Sequence, residues 1–485
     1  MRFLPVTLST LTLSAIATGC FGSSNNNAPP APVSGNSLDG SVTDTADSSV
    51  PPDSSIVSTI DAPSGTDSAM EAASRGEGGT VTALSSCDAP TTIDSAHVGH
   101  SFAAAAGIGG GKYVAFWSEA QPTAIFKARF FDGTTLQPEQ TIDSMDQTAI
   151  VRADGLGNAY AVWRTGMAVL SPATGTFGTT TPLPLFPSSI QDVAAAPLKA
   201  GGAFVFYSGN DADAGGAQSM LSTRYDTTSG TWSAPEVREA EVLNTPHVAT
   251  NASGKAVAAW LGAMGNGTGM TALSISTFDG TTWAAPVHST LGTGSSGSGP
   301  DEFAIAAYSN GDALVIYAEQ INGASRAVEA QRFRVASGQW DAPEAIETAS
   351  PGGETLLAID ASDRVTAVYQ TDVVMTNHTV VRRNFGAGWT PAVDLGPAGS
   401  LVFSLDPSDN PVVVVSPDSG SLGVRRCAAD GTTWDGPVAT GFASSTPNAM
   451  YMMTLAFDAA GHPVIVDADV VQAAPTQLIR LTVCE

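Results

Sequence analysis

Six histidines, four cysteines and a few acidic and guanidinium groups are the residues of this 485-residue chain that could carry chemistry. A zinc site asks for His or Cys at helical or finger spacing. His97, His100, His247, His288, His378 and His462 offer no such set, and His97-x-x-His100 reads as a solvated loop. Asp211-Ala-Asp213-Ala-Gly215-Gly216 echoes the start of an oxygen-ligand calcium loop. It lacks the later bidentate Glu of an EF-hand, so Asp211 and Asp213 stand as a bare calcium candidate. Glu119 and Arg164 sit just after aromatic residues that close apolar runs, and are the candidates for a polar site. Neither a Gly-x-Ser-x-Gly elbow nor a phosphate loop occurs in a fitting context, so no cofactor and no catalytic set is expected.

A second group is aromatic. Trp117, Trp163, Tyr207, Trp260, Tyr317 and Tyr369 recur through the chain, as sugar-stacking rings would in a lectin. The competing and preferred reading is a packing layer, because large aromatics bury roughly 150–250 Å² each.

The elements that must position these residues are repeats. Each ring lies six residues after a Gly or Asp: Gly111, Gly157, Gly201, Gly254, Gly311 and Asp363. Asp409 and Gly461 continue the series, with Val415 and Asp467 in the aromatic place. Neighbours are between 44 residues (Gly157 to Gly201) and 57 residues (Gly254 to Gly311) apart, the length of a four-stranded propeller blade. A second marker follows the first seven: Trp232-x-x-Pro235, Trp283-x-x-Pro286, Trp340-x-x-Pro343 and Trp434-x-x-Pro437, with shorter forms at Leu136 and Trp389 and only Phe177 with Pro182 in the second unit. Before several of these stands a hairpin turn, as in Phe278-Asp-Gly-Thr-Thr-Trp283, since Gly takes φ > 0 at little cost. Few charged residues (14%) with 50 Gly also point to strands and turns. The expected fold is an all-β, eight-bladed β-propeller of four-stranded blades, with seven blades the alternative count. Such repeats resemble the secreted bacterial propellers with Asp-box (BNR-like) repeats, the group that includes sialidases. Asp279-Gly280…Trp283 occupies the place of the box, without its spacer between Asp and Gly. A sialidase-like site, which that resemblance implies as an alternative, would bring three Arg, a Tyr–Glu pair and an Asp to the central mouth. Arg129, Arg224, Arg332, Arg382, Arg425 and Arg480 recur on third strands instead and read as scaffold; Glu119 and Arg164 remain as mouth-facing candidates.

The last unit ends at Cys484-Glu485 without a Trp strand, and Cys87-Asp-Ala-Pro90 matches Trp340-Asp-Ala-Pro343 in register. The N-terminal strand is therefore expected to complete the last blade and remove its open edge. On this alignment Cys484 takes the place of Ala429 and Cys87 that of Trp434, facing each other within disulfide reach. Cys427 is left as a lone buried thiol.

Arg2, the apolar run Phe3–Ile16 and Ala17-Thr18-Gly19-Cys20 describe an export signal. The last four residues resemble the lipobox of bacterial lipoproteins, with Ala17 where Leu is usual, which implies acylation of Cys20. The expected organisation is a signal peptide over 1–19, a disordered Ser/Pro/Gly/Asp-rich tether over 20–86 and the propeller over 87–485. Residues 20–86 are too poor in apolar groups to order themselves. A net charge of −26 excludes the basic footprint of a nucleic-acid partner and a polybasic membrane contact. The expectation is a monomeric binding module, exported and lipid-anchored to the cell envelope at the outer membrane. Its partner would be an envelope protein or a polysaccharide. The alternatives are a sialidase-like glycan-cleaving enzyme and a purely structural envelope component. Gly209–Gln218, Leu291–Glu302 and Thr371–His378 are the expected specificity loops.

Overall fold

The computed structural model describes residues 83–94, 100–109, 111–119, 125–144, 149–154, 156–184, 190–210, 218–240, 242–263, 271–289, 303–321, 325–348, 351–373, 376–397, 399–416, 421–428, 431–443, 450–458, 460–470 and 478–485. Among them strands form eight antiparallel sheets, and no helix occurs. In chain order the blades are His100–Asp143, Ile150–Pro182, Ile190–Ala240, Val242–Ser289, Phe303–Glu347, Pro351–Pro397, Ser400–Ala443 and Met450–Val483. The eighth is completed by Thr91–Asp94, the first strand of the body. Strands run inner to outer along the chain, and the eight inner strands pack side by side in a closed ring. The molecule is an eight-bladed β-propeller.

The recurrent Gly/Asp has a local cause. Gly111, Gly157, Gly201, Gly254, Gly311 and Gly461 all have positive φ, between 72° and 95°. Asp363 (62°) and Asp409 (65°) are the non-glycine residues that share this left-handed position. Asp accepts it better than most residues. Each from Gly157 onward donates its amide to the carbonyl three residues back, closing the turn between inner and second strand. In five blades the residue accepting that bond is Asp154, Asn251, Asp360, Asp406 or Asp458. Their side-chain oxygens take the amides two and four residues on, as Asp406 does from Ser408 (2.8 Å) and Asn410 (2.9 Å).

The outer hairpins form where the Asp-Gly turns stand. Phe131 pairs with Leu136 and Phe278 with Trp283 across them. The Asp279 carboxylate accepts the amides of Thr281 (2.7 Å) and Thr282 (2.9 Å), and these bonds hold it at about 2, below the ordinary carboxylate value. Asp132 makes the same bonds to Thr134 and Thr135 and is lowered in the same way.

No single core exists. The buried apolar residues divide into layers, at least one at each of the eight joints between neighbouring blades. This is how a repeat fold buries area that one unit cannot bury alone.

The ring closes as expected, with Cys87 bonded to Cys484 (Cα–Cα 3.9 Å). The body reaches back beyond Cys87: Leu84 is buried, and the Ser85 and Ser86 amides donate to the Glu485 carbonyl. Two alignments need correcting. Cys427, not Ala429, is the counterpart of Cys484, because Cys427 faces Trp434 and both cysteine amides donate to a proline carbonyl, Pro411 and Pro463. The blade 7 turn is two residues longer than the Asp-Gly turns at Phe131 and Phe278, which displaced the count. The third-strand arginines do not share one place either. Arg129, Arg382 and Arg425 lie opposite Ala115, Ala367 and Val413; Arg224 and Arg332 lie opposite Phe204 and Leu314; Arg480 lies opposite Asp467. Each blade's own hairpin sets its register, and a one-residue slip moves a side chain to the other face.

Candidate ligand site in the central channel

Near the axis the blades converge, and the inner strands of blades 1 and 3 fill the narrow space with Ala103–Ala106 and Ala194–Ala196. Blades 7 and 8 carry large residues there instead: Leu401-Val-Phe-Ser-Leu405 and Met453-Thr-Leu-Ala-Phe457. Val402, Phe403, Leu405, Leu455 and Phe457 are only half-buried. They wall a cavity of about 860 Å³ that reaches the turns at Asp406 and Asp458 and continues along the neighbouring inner strands at Ala105–Gly107 and Val151–Ala153. This volume is within the range of small-molecule sites. Arg152 is the one cationic side chain in the described wall; it is exposed and donates to the Val151 carbonyl at 2.8 Å. The two acids of the wall are engaged elsewhere. Asp406 binds its own turn and the Asn410 amide nitrogen, with the Arg426 guanidinium 3.5 Å away. Asp458 binds its own turn and His462 Nδ1 at 2.9 Å.

The sequence candidates fall elsewhere. Trp117, Trp163, Tyr207, Trp260, Tyr317 and Tyr369 are all buried, at most 2% exposed, so no ring offers a face to a sugar. They pack between blades, as Phe126 of blade 1 against Trp163 of blade 2 (5.5 Å) and Phe206 of blade 3 near Trp260 of blade 4 (6.1 Å). Glu119 is not at the mouth: it is 1% exposed, in the joint between blades 8 and 1. Lys127 binds it at 2.6 Å and Glu139 at 2.8 Å, while Trp117 Nε1 donates to it at 3.4 Å. Asp94, Glu119 and Glu139 bring carboxylate oxygens within 4.8 Å of one another, and the cation among them is this lysine. Burial alone would lower the Lys127 ammonium, but its bonds to the two glutamates outweigh that and raise it. Arg164 is exposed at the hairpin Trp163–Gly166. Asp211, Asp213 and Cys20 lie outside the described residues, as does His97. His100 begins the inner strand of blade 1 and is not in a loop, and Thr371 pairs with His378 within a hairpin. His247 packs on Phe303 (4.3 Å), and burial lowers its imidazole to about 4.

One pattern escaped sequence reading. Where an acid follows the last inward residue of an outer strand, it reaches the aromatic of the next blade. Trp260 Nε1 donates to Glu239 Oε2 at 2.6 Å, and the Tyr369 hydroxyl to Glu347 Oε2 at 3.4 Å, with Arg382 donating to both. Ile93-Asp94 holds the same place beside Trp117 and Glu119. The signal was the acid after Ile93, Arg238 and Ile346 at a fixed distance beyond the Pro.

Fold and site together define a disulfide-closed, eight-bladed propeller with a half-apolar cavity on its axis. No family model and no curated protein matches the chain. Among solved structures it is similar to the BP39L lectin from Burkholderia pseudomallei: 15% identity, 70% of this chain and 98% of the lectin covered, TM-score 0.47. It is also similar to the leech intramolecular trans-sialidase (8% identity, 82% of this chain and 92% of that one, TM-score 0.37). A third likeness is to the alpha-L-arabinanase of Penicillium chrysogenum (14%, 61% and 94%, TM-score 0.36). At these values the likenesses carry no argument about ligand or reaction.

Proposed function

We propose that the protein is a binding module of the bacterial cell envelope, exported and held there by a lipid on Cys20. The observation that carries the binding role is the axial cavity of about 860 Å³, whose lining joins half-buried apolar residues with Arg152. A rigid ring of eight blades presents that cavity and the loops around it without needing to move. Ala17-Thr18-Gly19-Cys20 supports the lipid address, and the Cys87–Cys484 bridge suits an oxidising compartment. A glycan ligand, if taken, would use the cavity or the loops, because the six recurrent rings are buried.

The test has two arms. Labelled palmitate should enter the wild-type chain in a bacterial host and not the Cys20→Ser variant; equal labelling would remove the address. The unacylated chain should bind, saturably, a component of an envelope extract or of a polysaccharide panel. A blank on folded, oxidised protein would remove the binding role.

A further inference from the structure

We propose that the axial cavity takes a small amphipathic anion, a single carboxylate head on an aliphatic body, and this rests on the binding-module reading above. Three properties of the wall select this class. The half-buried Phe403, Leu405, Leu455 and Phe457 leave apolar surface facing an open cavity, where a hydrocarbon body replaces water at a gain of about 0.8 kcal/mol per CH₂. The polar part of the lining, Ser404 and Thr454 among it, leaves the apolar part to the hydrocarbon body.

Arg152 sits in a chain of net charge −26 as the one cation of the described wall, and only one bond of its fork is spent, on the Val151 carbonyl. A planar guanidinium matches a carboxylate in bidentate geometry. A cationic ligand is disfavoured although Asp406 and Asp458 border the cavity. Their carboxylates already accept the amides and side chains of their own turns. A wholly apolar ligand would cover Arg152 without satisfying it.

Calorimetric titration of the full chain carrying Cys20→Ser, with hexanoate, octanoate and decanoate, tests this. Affinity should rise about fourfold per added CH₂. Arg152→Gln, an exposed position that leaves the fold intact, should weaken decanoate about tenfold or more and leave decanol unchanged. Phe403→Ala, with its circular dichroism matched to wild type, should weaken acid and alcohol alike. Equal decanoate affinity in Arg152→Gln, or no dependence on chain length, would overturn the proposal. Folded protein that binds a polysaccharide or extract component but not decanoate overturns the ligand class alone. Folded protein that binds none of them overturns the binding module as well.

Discussion

In blade 7 the third strand ends at Cys427, which faces Trp434 across a short turn of the same chain. In blade 8 the equivalent strand ends at Cys484, which faces Cys87, 397 residues away in sequence. The two sites share their proline-carbonyl bond, at Pro411 and Pro463, and their outer-strand sequence, Trp434-Asp-Gly-Pro437 against Cys87-Asp-Ala-Pro90. Seven blades hold the outer strand through a peptide turn, and the eighth has no such turn to use. A bond between side chains at the same two positions replaces it. The comparison also explains why the residue opposite Cys427 is an aromatic: where the backbone already joins the strands, the position is free for packing.

Charge enters the joints between blades as well. Between blades 3 and 4 the tip of Trp260 binds one carboxylate, and between 5 and 6 Arg382 joins Tyr369 and Glu347. Between 8 and 1, Lys127 joins Glu119 and Glu139 beside Asp94, and in blade 8 Arg480 binds the buried Asp467 while stacking over Phe442 of blade 7. The Lys127–Glu119 and Arg480–Asp467 pairs are largely buried, so removing one partner leaves a charge without its counterpart.

The largest expected effect comes from cutting the closure. Cys87→Ser should destabilise the body by about 4–5 kcal/mol at most, the chain-entropy value for a very long loop. The loss is read as a lower denaturant midpoint and as early proteolytic release of residues 84–94. A midpoint equal to wild type would mean that non-covalent contacts alone close the ring. Next, Lys127→Met should cost about 3 kcal/mol by taking the ammonium away from the buried Glu119 carboxylate. Glu347→Gln, at a less buried acid that faces Tyr369 and Arg382, should cost about 1 kcal/mol. Equal losses in the two would mean that the depth of the acid, 1% exposed for Glu119 and 15% for Glu347, does not set the cost.

Trp434→Cys should turn blade 7 into a copy of the closure. Cys427, now a free thiol, should then resist alkylation in the denatured, unreduced chain. A reactive Cys427 would show that the two positions are not equivalent. The smallest effect concerns pH. The Asp279 carboxylate sits lower in the folded chain, at about 2, than its ordinary 3.8. Its stabilisation is therefore complete above about pH 4 and disappears as pH falls through about 2. Thermal unfolding of Asp279→Asn should lie below wild type at pH 6 and converge with it near pH 2; a constant gap would contradict that origin.

Most of the fold was legible because each blade repeats a backbone necessity. A left-handed turn residue, Gly or Asp, can be seen without side-chain contacts, and so can the Asp-Gly hairpins. The Cys87–Cys484 bond followed from the missing strand. Register was not legible within blades: the longer turn after Cys427 and the differing hairpins before Arg224 and Arg382 are set by packing. The site was read least well. The recurring Trp and Tyr form the packing layer that the sequence favoured, so they mark no site. The axial cavity comes from small differences, Ala103–Ala106 against Leu401–Leu405, that matter only once eight strands share one axis.

The closure is tested most directly by digesting the unreduced, alkylated protein and mapping its linked peptides by mass spectrometry. The peptide containing Cys87 should be found joined to that containing Cys484, with Cys427 carrying the alkyl label. A linkage through Cys427, or an alkylated Cys87, would contradict the account.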